Sequence, residues 1–304
     1  MTTPRRSSSA WEVVRGIGRT LLTLGVLILL FVGYQLWGTG VHAARAQDSL
    51  ENDFEVTVSD PEVASLEEQF AASAGEPLPE DLLLPTPEVG SGIGRIQIPA
   101  IGVDWIVVEG VSLDVLKDGP GHYQGTPYPG QAGNVAIAGH RTTYGAPFNR
   151  IDELKSGDEI TITTAQGEFV YVYRQTQIVS PSQVEVLEDV GDNRLTLTAC
   201  HPKYSARERI VVTAALTNPN PAPAIYQEPQ VEVVALDEPD LGGEDADQLP
   251  AVLWGLACAS IWLSAWLVGR AWRRWPSYLI GLPFFAVSLY AFFENFSRLL
   301  PSNY

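Results

Sequence analysis

Three long apolar stretches constrain this chain more than any other feature of its sequence. They cover residues 20–37, 251–269 and 275–293, and each runs for 18 or 19 residues without a charged side chain. A helix of that length is long enough to cross the ~30 Å hydrocarbon core of a membrane. The sequence therefore predicts one N-terminal and two C-terminal transmembrane helices, with a polar region between them that is unsuited to spanning.

The arginines beside these stretches predict the orientation of the chain. Four precede the first stretch and three fill the turn between the last two: Arg5, Arg6, Arg15, Arg19, Arg270, Arg273 and Arg274. Because cytoplasmic flanks of spans carry the excess of Lys and Arg, both regions are expected inside. The first apolar run exceeds the ~7 to 15 residues of a signal-peptide core, which favours an uncleaved anchor, although Val41-His-Ala-Ala leaves cleavage open.

These observations divide the chain into nine segments. The predicted order is a cytoplasmic N-terminus (1–19), a span (20–37), an acidic extracytoplasmic linker (38–92), an outer domain (93–217), an acidic Pro-rich linker (218–250), a span (251–269), a cytoplasmic turn (270–274), a span (275–293) and an extracytoplasmic C-terminus (294–304). This order predicts a multi-pass protein of the cell membrane, with its main domain outside.

The net charge of −17 is concentrated in the two linkers. Residues 48–92 and 226–247 together hold 20 of the 36 acidic residues and contain no Lys or Arg. Such self-repelling, Pro- and Glu-rich segments are typical of disordered spacers, although a basic partner is the alternative. The remainder is near neutral, and we expect no nucleic-acid partner.

Short β-branched runs separated by Gly and Pro predict an all-β outer domain. The predicted strands cover residues 94–98, 105–109, 134–139, 159–164, 168–177, 195–199 and 208–214. Short helical pieces are predicted at 112–116 and 148–154. Seven or eight short strands in this length suggest a small closed barrel or a sandwich.

Cys200 is the residue of this domain that most needs a chemical explanation. The chain has two cysteines, and Cys258 lies in a predicted span, so a disulfide between them is not expected. In the strand 195–199, Leu195, Leu197 and Ala199 share one face, which puts Cys200 on the opposite, outward face. This parity favours a nucleophile over a buried structural thiol.

A nucleophilic thiol needs a proton acceptor, and the chain offers four histidines. His42 lies beside the membrane, and His201 should point away from its sequence neighbour Cys200. His122 lies in a turn-rich loop, where a surface position is expected. His140 ends an apolar strand after Gly139, a position at which backbones can approach closely, and it is the preferred candidate.

Two arginines could stabilise negative charge on a carbonyl oxygen under attack. Arg207 and Arg209 follow Cys200 by seven and nine residues, at the entrance to the last strand. They share one parity, so alternation alone does not choose between them.

Taken together, these segments resemble the sortase family. Thr196-Leu-Thr-Ala-Cys200 with Ser205-Ala-Arg-Glu-Arg209 resembles its cysteine and arginine strands, with Ala199 where threonine is more usual, and Gly133-Asn-Val-Ala-Ile-Ala-Gly-His-Arg141 resembles its histidine segment. The Cys-His-Pro sequence at residues 200–202 and the nine-residue gap from Cys200 to Arg209 are most similar to class E, with class D next. The resemblance implies an eight-stranded barrel with His140 as catalytic histidine, Cys200 as nucleophile and Arg209 as the arginine.

The resemblance also implies a reaction and its partners. A sortase cleaves a C-terminal Leu-Pro-x-Thr-Gly or Leu-Ala-x-Thr-Gly motif between Thr and Gly through a thioester, and transfers the protein to an amine of a cell-wall precursor or a pilin. Tyr123, Thr198 and Arg207 are the expected substrate contacts. No cofactor or metal is expected. The acidic residues of the domain show no ordered ligand spacing from which a Ca²⁺ dependence could be read.

Two other functions remain open at this stage. C-terminal membrane helices also occur in pilin-polymerising sortases, so a pilus role is one alternative. A membrane-tethered barrel that binds without catalysing is the other.

Overall fold

The outer domain is a closed barrel of eight strands. The computed structural model describes residues 9–58, 83–218, 221–226, 248–271, 274–297 and 299. The strands are β1 (Gly92–Ile98), β2 (Val103–Glu109), β3 (Gly121–His122), β4 (Asn134–Ala138), β5 (Glu159–Thr164), β6 (Gly167–Val179), β7 (Arg194–His201) and β8 (Glu208–Leu216). They are hydrogen-bonded in the order β1-β2-β3-β4-β7-β8-β6-β5, which closes on itself. This confirms the predicted all-β barrel.

Alternating side chains fill the barrel with aliphatic residues. Ile96, Ile162, Leu195, Leu197 and Val212 come from four different strands and are completely buried in one cluster. Full burial of such a side chain contributes about 1.5–3 kcal/mol relative to exposure. The inner face of β7 is therefore tied to the stability of the barrel.

Most of the predicted strands are present and differ only at their ends. β5 has the predicted bounds, whereas β6 and β7 are each longer than predicted. β3 was not predicted, because two residues are too few for a periodic signal. The two predicted helical pieces shorten to single 3-10 turns at Val115–Lys117 and Ile151–Glu153.

The N-terminal span continues directly onto the barrel. Helix α1 (Ser9–Gly33) passes through a π-helical turn (Tyr34–Gly38) into helix α2 (Thr39–Val58). The prediction of a disordered linker is wrong for residues 39–58, because α2 packs on β1 and β2. Polar contacts hold it there: the Gln47 amide nitrogen donates to Ile106 O at 3.0 Å, and Ile106 N donates to Gln47 Oε1 at 2.7 Å.

The C-terminal apolar stretches form two helices packed against each other, α3 (Leu249–Ala271) and α4 (Arg274–Ser297). Within the described residues, three helices are long and apolar enough to cross a membrane, at Trp11–Val56, Leu249–Ala271 and Trp275–Ser297. Aromatic rings join the first to the last, with Phe31 5.2 Å from Phe293 and Tyr34 5.5 Å from Tyr290 between centroids. The rest of both acidic linkers, 59–82 and 227–247, lies outside the described residues.

Candidate active site

Cys200 lies near the end of β7 on the face that points away from the barrel core. Leu195, Leu197 and Ala199 belong to the core cluster, whereas Cys200 belongs to a separate small cluster. The expected parity is therefore correct. The expectation that the thiol is presented outward is wrong in one respect, because Cys200 is only 1% exposed.

A short segment after β2 contributes to this burial. Leu116, in the 3-10 turn, forms one buried cluster with Ala138 and Cys200. Val111 and Leu113 of the same segment pack partly buried on this cluster, as do Tyr123 and Ala206 from outside the segment. We call residues 110–118 the cover segment. Its apolar side chains come from a part of the sequence about 85 residues upstream of the thiol, and strand alternation within β7 gives no sign of such a contact.

Arg209 lies directly opposite Cys200 on the neighbouring strand. β7 and β8 are antiparallel with Cys200 paired to Arg209 and His201 to Glu208. The Arg209 side chain is buried, and its Nη1 donates to Ala206 O at 2.9 Å and to Glu208 O at 3.1 Å. Arg207 is exposed and precedes β8. The strand register therefore distinguishes Arg209 from Arg207, which strand alternation in the sequence alone did not.

His140 follows the strand on the other side of β7. β4 runs parallel to β7 with Ala138 paired to Thr198, and Gly139 N donates to Thr198 O at 3.0 Å. His140 follows Ala138 by two residues, as Cys200 follows Thr198 on β7. The three adjacent strands β4, β7 and β8 thus carry His140, Cys200 and Arg209 at the same end of the sheet.

Gly139 allows the close approach that its position suggested. A Cβ atom there would lie 2.5 Å from the Phe148 ring, which is too near for any larger residue. Phe148 N also donates to His140 O at 3.1 Å. The turn after β4 is therefore packed tightly behind the histidine.

The loop that follows His140 contacts its imidazole on two sides. Nδ1 lies 3.2 Å from the Thr143 hydroxyl, and the Tyr144 ring centroid lies 5.0 Å from the imidazole centroid. Tyr144 and Ala146 have φ of 48°, a left-handed conformation that costs non-glycine residues about 1–3 kcal/mol each. Tyr144 N donates to the Thr39 hydroxyl at 3.2 Å, so α2 helps hold this strained loop.

Arg141 is a structural neighbour of the thiol that sequence reasoning missed. Its side chain is only 1% exposed, and its Nη1 donates to Cys200 O at 3.4 Å. Nε donates to Asn149 O at 2.8 Å, and Nη2 pairs with Asp152 at 2.7 Å. Burial lowers the pKa of Arg141 from its ordinary value, while Asp152 and Cys200 raise it. The signal in the sequence was its place directly after His140.

Tyr123 and Thr198 bond to each other beside the thiol. Their hydroxyl oxygens are 3.0 Å apart, and Tyr123 packs on the cluster that contains Cys200. Burial raises the pKa of the Tyr123 phenol, while Thr198 and the charge of Arg209 lower it and Cys200 raises it. The two expected substrate contacts, Tyr123 and Thr198, therefore share one environment with Cys200 and Arg209, whereas Arg207 lies apart.

His122 differs from the expectation of a surface residue. It is buried on β3, with Nδ1 2.8 Å from Glu109 and its ring stacked 4.8 Å from that of Tyr128. A glutamate thirteen residues upstream was not recognisable as its partner, because β2 and β3 pair over only two residues. His122 thus anchors the chain that leads into Tyr123.

Comparison with known proteins gives one family. The sortase domain model matches residues 96–217. Sortase SrtE1 of Streptomyces coelicolor is 33% identical over 234 residues, which is 71% of this chain and 61% of that protein. Sortase SrtE2 of the same organism is 31% identical over 223 residues, 68% of this chain and 83% of that protein. The chain therefore spans less than two thirds of the length of SrtE1 and most of SrtE2.

Further matches include a second class of sortase and a solved structure. Sortase D of Bacillus subtilis is 35% identical over 117 residues, 38% of this chain and 58% of that protein. The solved structure of sortase E from Streptomyces avermitilis is 37% identical, covers 42% of this chain and 90% of its own, and has a TM-score of 0.39. The resemblance to class E, with class D next, is confirmed by the matched sequences. With its eight-stranded barrel and its extended match to SrtE2, the chain belongs to the sortase family of cysteine transpeptidases.

Proposed function

We propose that this protein is a membrane-anchored sortase that cleaves a Leu-Pro-x-Thr-Gly or Leu-Ala-x-Thr-Gly sorting motif between Thr and Gly and transfers the protein to a cell-wall precursor amine. The observation that carries the proposal is the convergence of three strand ends. Cys200 and Arg209 are paired across β7 and β8, and His140 follows the end of β4, the strand on the other side of β7, by two residues. An imidazole, a thiol and a guanidinium in one place suit acyl transfer.

Cys200 supplies the nucleophile. Its thiolate attacks the threonine carbonyl carbon, and the tetrahedral intermediate collapses to a thioester as the Thr–Gly bond breaks. His140 protonates the departing glycine amine and later takes a proton from the incoming amine, so the same nitrogen serves both halves of the reaction. The loop residues Thr143 and Tyr144 orient the ring for this exchange.

Arg209 stabilises the negative charge on the oxygen under attack. Its Nη1 donates hydrogen bonds to the backbone carbonyls of Ala206 and Glu208, and these bonds orient the planar guanidinium before substrate arrives. A preorganised cation of this kind acts on the transition state without reorganising at that moment. Tyr123 and Thr198 supply the adjacent wall for the motif.

The membrane segments place enzyme and substrate on one surface. We infer that the N-terminus and residues 270–274 are cytoplasmic and that the barrel and C-terminus are outside, as the arginine distribution suggests. Confinement of a membrane-bound substrate and enzyme to one surface raises their effective concentration.

A peptide ligation assay tests the proposed function. The full chain in detergent micelles is incubated with either motif peptide and an amine acceptor, and the ligated product is measured by mass spectrometry. We expect product from the wild type and from Cys258→Ala, the matched thiol control in α3, and none from Cys200→Ala. Absence of ligation or cleavage with every motif peptide would instead support a non-catalytic binding barrel.

A further inference from the structure

The cover segment is held over Cys200 from two sides. Its inner side is apolar, with Leu116 in the same buried cluster as Cys200. Its outer side ends in two polar residues, Lys117 and Asp118, which point to the helices that lead into the membrane. The apolar contact on the inner side is small, so the polar contacts of Lys117 and Asp118 help to determine how firmly the segment stays in place.

Asp118 is tied to α2. Its carboxylate lies 2.9 Å from His42 Nε2, and its carbonyl accepts a hydrogen bond of 2.9 Å from the Gln47 amide. Helix α2, which continues the N-terminal anchor, therefore holds the C-terminal end of the cover segment.

Lys117 is tied to the C-terminal hairpin. Its side chain is only 6% exposed, and Nζ lies 2.7 Å from Asp114 and 3.5 Å from Glu294 of α4. The second oxygen of Glu294 accepts a hydrogen bond from the Tyr34 hydroxyl of the π-helical turn. One carboxylate thus joins the cover segment to both membrane anchors.

The free-energy cost of desolvating Glu294 beside Lys117 indicates a function. An ionisable residue at the end of an apolar helix, with a largely buried lysine as partner, requires desolvation of both charges. The barrel core involves neither residue, so the pair contributes no core packing. What the pair does fix is the position of residues 114–117, which carry Leu116.

We propose that Glu294 is a positioning residue that fastens the cover segment over Cys200 through Lys117, so that the C-terminal hairpin governs access of the sorting motif to the thiol. The consequence for catalysis rests on the proposed sortase function. Cys200 is almost fully buried, so the cover segment must shift before a peptide carbonyl can reach the sulfur. A contact that favours the closed arrangement lowers the fraction of competent enzyme and raises the apparent KM.

The direct test measures how fast Cys200 reacts with a small thiol reagent. A Cys258→Ala background leaves residue 200 as the only thiol, and the full chain in lipid nanodiscs is treated with iodoacetamide and followed by intact mass. We expect Glu294→Gln and Lys117→Met each to react about tenfold faster, since loss of a partly buried charge pair shifts a local opening equilibrium by roughly that factor. The double variant should react no faster than either single one.

Two controls separate fastening from general loosening. Glu12→Gln makes the same chemical change in the first turn of α1 and should leave the rate unchanged. Far-UV circular dichroism of Glu294→Gln should match that of the parent protein, which a damaged fold would not do. Unchanged labelling in Glu294→Gln, or equal acceleration by Glu12→Gln, would overturn the inference.

The same variants separate this inference from the proposed function. Labelling requires no peptide, so it reports the cover segment whether or not the chain ligates. With motif peptide, Glu294→Gln should lower KM several-fold and leave kcat unchanged. Ligation with unchanged labelling would reject the fastening alone, whereas faster labelling without ligation would reject the sortase activity alone.

Discussion

The two faces of strand β7 differ in what they do, although both are buried. The inner face carries Leu195, Leu197 and Ala199 into the aliphatic core. The outer face carries Thr196, Thr198 and Cys200, which meet polar groups or the thin cover segment instead. Burial alone therefore does not separate structural from reactive positions. What separates them is whether the neighbours belong to the aliphatic core or to the polar groups and the cover segment outside it.

The first way to sharpen this comparison is to remove the proposed base. His140→Ala should lower kcat for ligation about 10³- to 10⁴-fold, near the upper end of what general acid–base groups contribute. His201→Gln is the matched control, because that residue follows Cys200 on the opposite parity. Equal losses in both variants, measured by steady-state kinetics, would contradict the assignment to His140.

A change on the inner face should act on stability instead. Leu197→Ala removes a completely buried side chain and should lower the free energy of unfolding by about 2–5 kcal/mol. Chemical denaturation followed by circular dichroism measures this loss. Activity per folded molecule should stay within about threefold of wild type, since an inner-face cavity leaves the cross-strand pairs in register. A large catalytic defect with unchanged stability would break the distinction between the faces.

The arginine pair tests the cross-strand register. Arg209→Lys should lower kcat/KM about 10²- to 10³-fold, the range for loss of one oxyanion donor. Arg207→Lys makes the same change two residues earlier at an exposed position and should alter kcat/KM less than about twofold, as surface substitutions usually do. A reversed order of these effects would assign the oxyanion role to Arg207.

Arg141 should give a smaller, positional effect. Arg141→Lys keeps a charge but loses the planar guanidinium that reaches Cys200 O, Asn149 O and Asp152 together. We expect kcat to fall about tenfold with KM nearly unchanged, because a small misplacement of a reacting group is costly. A rise in KM as large as the fall in kcat, or a fall in kcat that lower thermal stability explains, would argue against a role of Arg141 in positioning the Cys200 backbone.

The mildest change removes one hydroxyl. Tyr123→Phe loses the hydrogen bond to Thr198 and should lower the free energy of unfolding by about 1 kcal/mol. Thermal denaturation of the full chain measures this. Tyr173→Phe provides the control, since its hydroxyl bonds to Thr176 on an exposed part of β6 and should matter less.

Local patterns in the sequence were enough for seven of the eight strands and for the parity of Cys200. Alternation over 195–199 separated the leucines from the thiol, and Gly139 indicated a close backbone approach. These features depend on neighbours in the chain, which a single sequence contains.

Contacts between distant segments were not predictable in the same way. The buried cluster of Cys200 with Leu116, the docking of α2 and the link from Lys117 to Glu294 each join segments far apart in sequence. Strand alternation did not choose between Arg207 and Arg209; the family resemblance named Arg209, and the register of β7 against β8 pairs it with Cys200. The acidic composition of residues 48–58 suggested a spacer. In the structure these residues belong to the docked helix α2, and one of their carboxylates, that of Glu51, pairs with Arg95.

Trapping of the acyl-enzyme tests the central claim most directly. The full chain is mixed with a motif peptide without amine acceptor, quenched in acid, digested and mapped by tandem mass spectrometry. The account predicts a thioester-linked Leu-x-x-Thr fragment on Cys200 that is absent from Cys200→Ala. An adduct on another residue, or turnover of the peptide with Cys200 unmodified and dispensable, would contradict it.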